Sequence, residues 1–176
     1  MRVLDIGCAD GFFALEMAKR GAEVTAVDFS AKSIARLNWV IAELGIKNIT
    51  TRVAKIESFG NSKERYDFVL MIALLYHLRN PFLGLEVMRR VTDTLYVETV
   101  VDKTSEEPCM FLRPPVAGVH KIPKWMPTET CVIDMLRFAG FAEVQILEKA
   151  RSFRGIYLAR ATREPSKKKR TRPERT

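Results

Sequence analysis

The sequence predicts an α/β fold: a mostly parallel sheet with helices on both faces, finished by an antiparallel strand pair. Three observations carry this. Short apolar runs, R-V-L-D-I, E-V-T-A-V-D, I-T-T-R-V, F-V-L-M-I and T-L-Y-V-E, alternate with stretches of helical periodicity, the pattern of a parallel sheet covered on both sides. The connections are punctuated by glycines and by capping residues. The last two apolar runs, V-Q-I-L and G-I-Y-L-A-R, have little chain between them, so they pair antiparallel as a hairpin-like unit.

In chain order, R-V-L-D-I runs into a glycine turn, and F-F-A-L-E-M-A-K-R follows as a helix closed by Gly21. After E-V-T-A-V-D, Ser30 caps a helix over roughly 31–44, in which Ile34, Leu37, Val40, Ile41 and Leu44 recur at helical spacing. Gly45 ends it. Asn80 and Pro81 supply the cap and first-turn proline of the next helix, which carries Leu83, Val87 and Val91. A Pro-rich stretch over roughly 102–127 is expected to be irregular, and long loops of this kind carry function. Thr128 caps a last helix, which Gly140 ends.

The folded unit is read as one domain over residues 1–162. No apolar run reaches the roughly 18 residues of a membrane span, and the first residues lack the apolar core of a signal peptide. Cys8, Cys109 and Cys131 are scattered and form no C-x-x-C pair, so neither a disulfide framework nor a zinc site is indicated, and a reducing cytoplasm is the expected compartment. The net charge of +8 is uneven: R-E-P-S-K-K-K-R-T-R-P-E-R-T, residues 163–176, holds seven basic and two acidic residues. With nothing apolar to bury except proline, it reads as a disordered tail. Such an arm either contacts phosphates, as in tRNA, or only aids solubility.

The first strand runs into D-I-G-C-A-D-G, residues 5–11. Strand, glycine turn and helix form the general nucleotide-cofactor arrangement, with Gly7 and Gly11 allowing close approach of the backbone. A helix N-terminus suits a pyrophosphate, but Asp5 and Asp10 at this mouth repel one and attract a sulfonium and an ammonium. S-adenosylmethionine carries both. Asp28 ends the second strand, 17 residues after Gly11, where a carboxylate accepts hydrogen bonds from both ribose hydroxyls. The plainer alternatives are a helix-capping acid for Asp28 and a turn former for Asp10. The fourth strand ends in L-L-Y-H-L-R-N-P, where Tyr76 can shape the donor pocket or meet the acceptor and His77, with an ordinary pKa near 6.5, can act as a base, the two being the catalytic candidates. The plainer reading is that both cover the sheet edge.

Over residues 2–162 the sequence resembles the class I S-adenosylmethionine-dependent methyltransferases. The resemblance implies a Rossmann-like, seven-stranded sheet whose last two strands form the antiparallel pair. It also implies that Gly7 lines the methionine end, that Asp28 with Phe29 and Ser30 holds the ribose, and that Ile56 packs on adenine with Glu57 beside it. Y-H-L-R-N-P, Y-V-E-T-V-V, W-M-P-T and L-R-F-A-G-F-A-E-V, spread over residues 66–160, are similar to motifs of the bacterial enzymes that finish the 5-oxyacetyl group on wobble uridine of tRNA, some of which use carboxy-S-adenosylmethionine. This second resemblance adds Ile72, Tyr76 and Arg154 to the implied donor contacts, Ile72 standing where better-known members have methionine. The Arg154 guanidinium can pair with a donor carboxylate. That family has a long segment before its first strand with cationic and aromatic donor contacts, whereas here the first strand follows Met1 directly. Arg154 is then the one carried-over cation, and ordinary S-adenosylmethionine, or less than about tenfold preference either way, is expected. The expected function is methyl or carboxymethyl transfer to a 5-hydroxyuridine-type oxygen of tRNA. The alternatives are a small-molecule O-methyltransferase with Trp125 at its acceptor pocket, and a cofactor-binding protein without catalysis.

Overall fold

The computed structural model describes residues 1–115, 123–148 and 153–162. Among them the elements run β1 (Arg2–Ile6), α1 (Phe12–Lys19), β2 (Glu23–Asp28), α2 (Ala31–Glu43), β3 (Ile49–Val53), β4 (Phe68–Ile72), α3 (Pro81–Val91), β5 (Thr94–Val100), β6 (Met110–Arg113), β7 (Lys124–Pro127), α4 (Glu129–Phe138), β8 (Glu143–Glu148) and β9 (Arg154–Arg160). Seven strands form one sheet in the order β3-β2-β1-β4-β5-β9-β8. The first five are parallel, while β9 runs antiparallel to both β5 and β8. The expected Rossmann-like architecture with its antiparallel C-terminal pair is therefore the one observed.

Strand alternation divides the core. Val3, Val24, Ala26 and Leu70 face α1 and α2, where Ala14, Ala18, Ile34 and Leu37 cover them. Leu4, Val69, Met71, Leu95 and Val97 face α3 and α4, whose Leu85, Met88, Val91, Val132 and Leu136 close that side. Fully burying a Leu- or Val-sized side chain contributes about 1.5–3 kcal/mol, so the two layers hold the sheet between them. The chain leaves β1 toward β2 and β3 on one side and returns to β4 and β5 on the other. The crevice where this order reverses lies at the carboxyl ends of β1 and β4, the place where open α/β sheets bind ligands.

Three of the four helices start as their capping residues predict. Ser30 Oγ accepts from the Ser33 N–H at 3.2 Å, Asn80 Oδ1 from the Leu83 N–H at 3.1 Å, and Thr128 Oγ1 from the Cys131 N–H at 3.3 Å. The fourth, α1, has no side-chain cap. Its N-cap Gly11 sits in the left-handed region, and a Cβ there would lie 2.3 Å from Leu37 Cδ1. Gly11 therefore lets α1 close onto α2, and it does not line the ligand crevice as expected.

The stretch over 102–127 departs from the irregular loop anticipated. Within it β6 and β7 pair antiparallel, from Met110 opposite Pro127 to Arg113 opposite Lys124. Runs of four residues interrupted by prolines are too short to show the period-2 pattern of a strand. The segment A-K-I-E-S-F after β3 forms a single 3₁₀ turn, Ile56–Phe59, that buries Ile56 and Phe59. The basic tail 163–176 lies outside the described residues. Among those described, no helix is long and apolar enough to cross a membrane.

Gly11 and Gly21 both have positive φ, but nothing lies within 4 Å of a Cβ added at Gly21. Gly21→Ala should cost only the left-handed backbone penalty, about 1–2 kcal/mol. Gly11→Ala should add overpacking against Leu37, for a total of about 2–5 kcal/mol in urea unfolding. Equal losses would show that Leu37 yields freely.

Candidate functional site

A hollow of about 290 Å³ opens at the reversal point, lined by Ile6, Gly7, Asp28, Phe29, Ala54, Lys55, Ile56, Glu57, Leu74, His77, Leu78 and Arg79. Gly7, Asp28, Phe29, Ile56, Glu57 and His77 were expected at the site, and the fold brings these six together. β1 delivers Gly7, whose N–H donates to the Val27 carbonyl at 2.8 Å, so the turn is tied to β2. β2 delivers Asp28, and the 3₁₀ turn delivers Ile56 and Glu57 to the facing wall.

Asp28 is 7% exposed. Its Oδ2 accepts from the Ala9 N–H at 3.0 Å and its Oδ1 from the Ser30 N–H at 2.8 Å. A carboxylate oxygen has two lone-pair sites, so each keeps acceptor capacity while the group is fixed in orientation. Ser30 does not line the hollow. Its backbone holds Asp28 and its hydroxyl caps α2. Phe29 is 72% exposed and supplies a flat apolar wall.

Other expectations are corrected. Asp10 turns outward and pairs with Arg36 of α2 at 2.5 Å, so its charge is compensated away from the mouth. Asp5 is buried under α1, near the Ala14 N–H, with Oδ2 unpartnered. Burial, and secondarily the Asp28 charge, pushes its pKa up to about 7. Neither aspartate read at the mouth lines the hollow, whereas Asp28 at the end of β2 does. Ile72 lies on the other face of the sheet, in a separate hollow with Phe12, Phe13, Met17 and Tyr96; alternation along β4 puts Met71, not Ile72, toward α3 and α4.

Beside the hollow, Tyr76 is 5% exposed and packs against the His77 ring, centroids 4.2 Å apart and planes tilted by 40°. Arg154 makes a two-pronged pair with Glu98, its Nη1 at 2.7 and 2.9 Å from the two carboxylate oxygens, and reaches the Tyr76 hydroxyl at 3.5 Å. The guanidinium expected for a donor carboxylate is thus already paired within the fold. Partial burial, then the charges of Lys124 and Arg154, lowers the His77 pKa, so the ring is neutral at pH 7. Lys55, Leu74, Leu78, Arg79, Glu98 and Lys124 were missed as site residues. Leu78 and Arg79 sit in the motif Y-H-L-R-N-P itself, and Glu98 ends the run T-L-Y-V-E as Asp28 ends E-V-T-A-V-D, a signal the sequence does contain.

Asp5 gives a pH prediction. Its folded pKa, about 7, lies above its ordinary value of 3.8, so its stabilising contribution is complete below pH 4 and is lost as pH rises toward 7. Asp5→Asn removes that dependence. Relative to the variant, the natural chain should lose about 1 kcal/mol per pH unit between pH 5 and 7 in urea titrations, and nothing further above pH 8. Parallel pH profiles would show Asp5 to be ionised throughout.

The geometry can now be set against known proteins. The methyltransferase-domain family matches residues 3–94, from β1 to the start of β5. A ubiquinone biosynthesis O-methyltransferase of Alkalilimnicola ehrlichii is 39% identical over 83 residues, 46% of this chain and 32% of that protein. One from Cereibacter sphaeroides is 29% identical over 134 residues, 74% of this chain and 51% of that protein. The chain thus spans about a third to a half of the curated relatives it matches. Among solved structures, the N-terminal domain of EvdMO1 with SAH bound superposes with a TM-score of 0.79 at 23% identity, over 92% of this chain and 75% of that one. The [4+2]-cyclase SpnF does so with 0.73 at 18% identity, over 91% of this chain and 75% of that one. The structural likenesses show the fold, and with the family match over β1 to β5 they establish that the chain belongs to the methyltransferase-domain family.

Proposed function

We propose that the chain is an S-adenosylmethionine-dependent methyltransferase acting on an oxygen nucleophile. The observation that carries this is the preset Asp28 carboxylate in the hollow at the sheet's reversal point, facing an apolar and acidic wall of Ile56 and Glu57. The residues fit the donor. Asp28 keeps acceptor sites for a vicinal diol, and Ile56 and Leu78 offer apolar surface for a flat base. When bound, S-adenosylmethionine supplies a methyl group on an excellent leaving group, so alignment provides most of the rate. His77, neutral at pH 7 and lining the hollow, can accept the acceptor's hydroxyl proton. A donor held by Asp28, Ile56 and Leu78 would supply its methyl carbon to that oxygen as its bond to sulfur breaks. Tyr76 positions the His77 ring through a tilted ring contact.

For the acceptor, the motifs over residues 66–160 support an enol-like 5-hydroxyuridine oxygen in tRNA. The basic tail adds a phosphate-binding arm to that reading. A small phenolic acceptor is supported by the relatives named ubiquinone biosynthesis O-methyltransferases. Assaying labelled donor with 5-hydroxyuridine-containing tRNA and with small phenols separates the two. Transfer to tRNA alone, weakened and made less salt-dependent on deleting residues 163–176, is expected. Transfer to phenols alone would overturn the tRNA reading.

Asp28→Ala should weaken S-adenosylmethionine binding by about 1–3 kcal/mol in calorimetry, the scale of hydrogen bonds to a charged group. It also frees the Ala9 and Ser30 N–H groups, so Asp28→Asn is the companion variant: it keeps an acceptor in place and should lose less. Unchanged affinity in both would remove Asp28 from the site.

A further inference from the structure

Cys109 and Cys131 stand 22 residues apart in the sequence, yet the fold sets them side by side at the base of the β6–β7 hairpin. Their N–H groups both donate to one oxygen, Thr128 Oγ1, at 3.2 and 3.3 Å. Two donors on one acceptor lie no farther apart than the two bonds laid end to end, the scale of the about 4.4–6.8 Å between the Cα atoms of a disulfide. Cys109 also stands opposite Thr128, one step beyond the Met110–Pro127 pair, and its carbonyl accepts from the Thr128 N–H at 2.9 Å. Thr128 is fully buried, while both cysteines are half-buried free thiols. The Cys131 thiol pKa is raised, by burial first and then by the charges of Cys109 and Asp134, so the two thiols lie within each other's field. The third cysteine, Cys8, is buried in the layer of α1 and α2.

We propose that Cys109 and Cys131 are an oxidation site, their sulfurs joining in a reversible disulfide that ties the base of the hairpin to the first turn of α4. The bond between the two Sγ atoms forms as two S–H bonds break. The two electrons and two protons released reduce a peroxide to water, or a small disulfide such as oxidised glutathione to two thiols. In the reduced chain the hairpin base meets α4 through the hydrogen bonds on Thr128 Oγ1 and through the Thr130 hydroxyl, which donates to the Glu106 carbonyl at 2.7 Å. The disulfide adds a covalent tie that closes the whole hairpin into a loop. The hairpin carries Met110 and Trp125 beside Arg79 and Phe82, and Lys124 over the Tyr76 ring. Oxidation therefore sets how firmly that wall of the site is held, whatever the hollow binds.

The test exposes the full chain to rising ratios of oxidised to reduced glutathione and maps its cysteines by differential alkylation and peptide mass spectrometry. A peptide pair joined through Cys109 and Cys131 is expected, lost again on adding dithiothreitol, with Cys8 still a free thiol throughout. Hydrogen exchange reads the consequence: amides of β6, β7 and the first turn of α4 should exchange at least about tenfold more slowly in the oxidised chain. Cys109→Ser and Cys131→Ser should each abolish the joined peptide and the added protection, and keep the exchange rates of the reduced chain. Glutathione carried on the separate cysteines with no joined pair, a pair that includes Cys8, or a pair formed between two chains would overturn the proposal. So would a Cys109–Cys131 pair that leaves the hairpin's exchange unchanged.

Discussion

The site depends on carboxylates at or near the carboxyl ends of strands holding backbone turns. Asp28 accepts from the N–H groups of Ala9 and Ser30, so one side chain at the end of β2 ties the glycine turn after β1 to the start of α2. Glu98 does the same for the other half of the crevice. Its Oε2 accepts from the Ala73 N–H at 3.0 Å, fixing the turn after β4, while both its oxygens hold Arg154 from β9. A lone buried carboxylate is costly to desolvate, and hydrogen bonds from backbone amides offset that cost. The two acids are thus stabilised by the turns they shape, and the hollow lies between them.

The sheet was legible because its signals are local and repeated. Glycine and capping residues marked the helix ends, and apolar runs marked the strands; both depend only on neighbours in the chain. The site was legible where a motif residue points along the strand direction into the crevice, as Gly7, Asp28 and His77 do. It was not legible where side-chain direction or a distant partner decides. Asp10 stands in the glycine loop but turns to Arg36, 26 residues away, and Arg154 meets Glu98 across 56 residues. Ile72 was misplaced by a single alternation along β4. Lys124 became visible only once β7 was laid over the turn at Tyr76.

Charge at the site is accordingly arranged by pairing rather than by composition. Asp10, Arg154 and Arg113 each meet an opposite charge, and the low solvent access of Asp5 favours its neutral form near pH 7. Asp28, Lys55, Glu57, His77 and Arg79 line the hollow itself. They come from β2, the segment after β3 and the turn after β4, elements held in register by the core and not by one another.

Ala9 and Ala73 are the two non-glycine residues with positive φ, 47° and 53°, among those described. Their N–H groups donate to Asp28 and Glu98 respectively. A left-handed alanine stores about 1–2 kcal/mol, so each turn relaxes when its carboxylate lets go. The two amide protons are therefore natural reporters, because their exchange with solvent measures how firmly each half of the crevice is held.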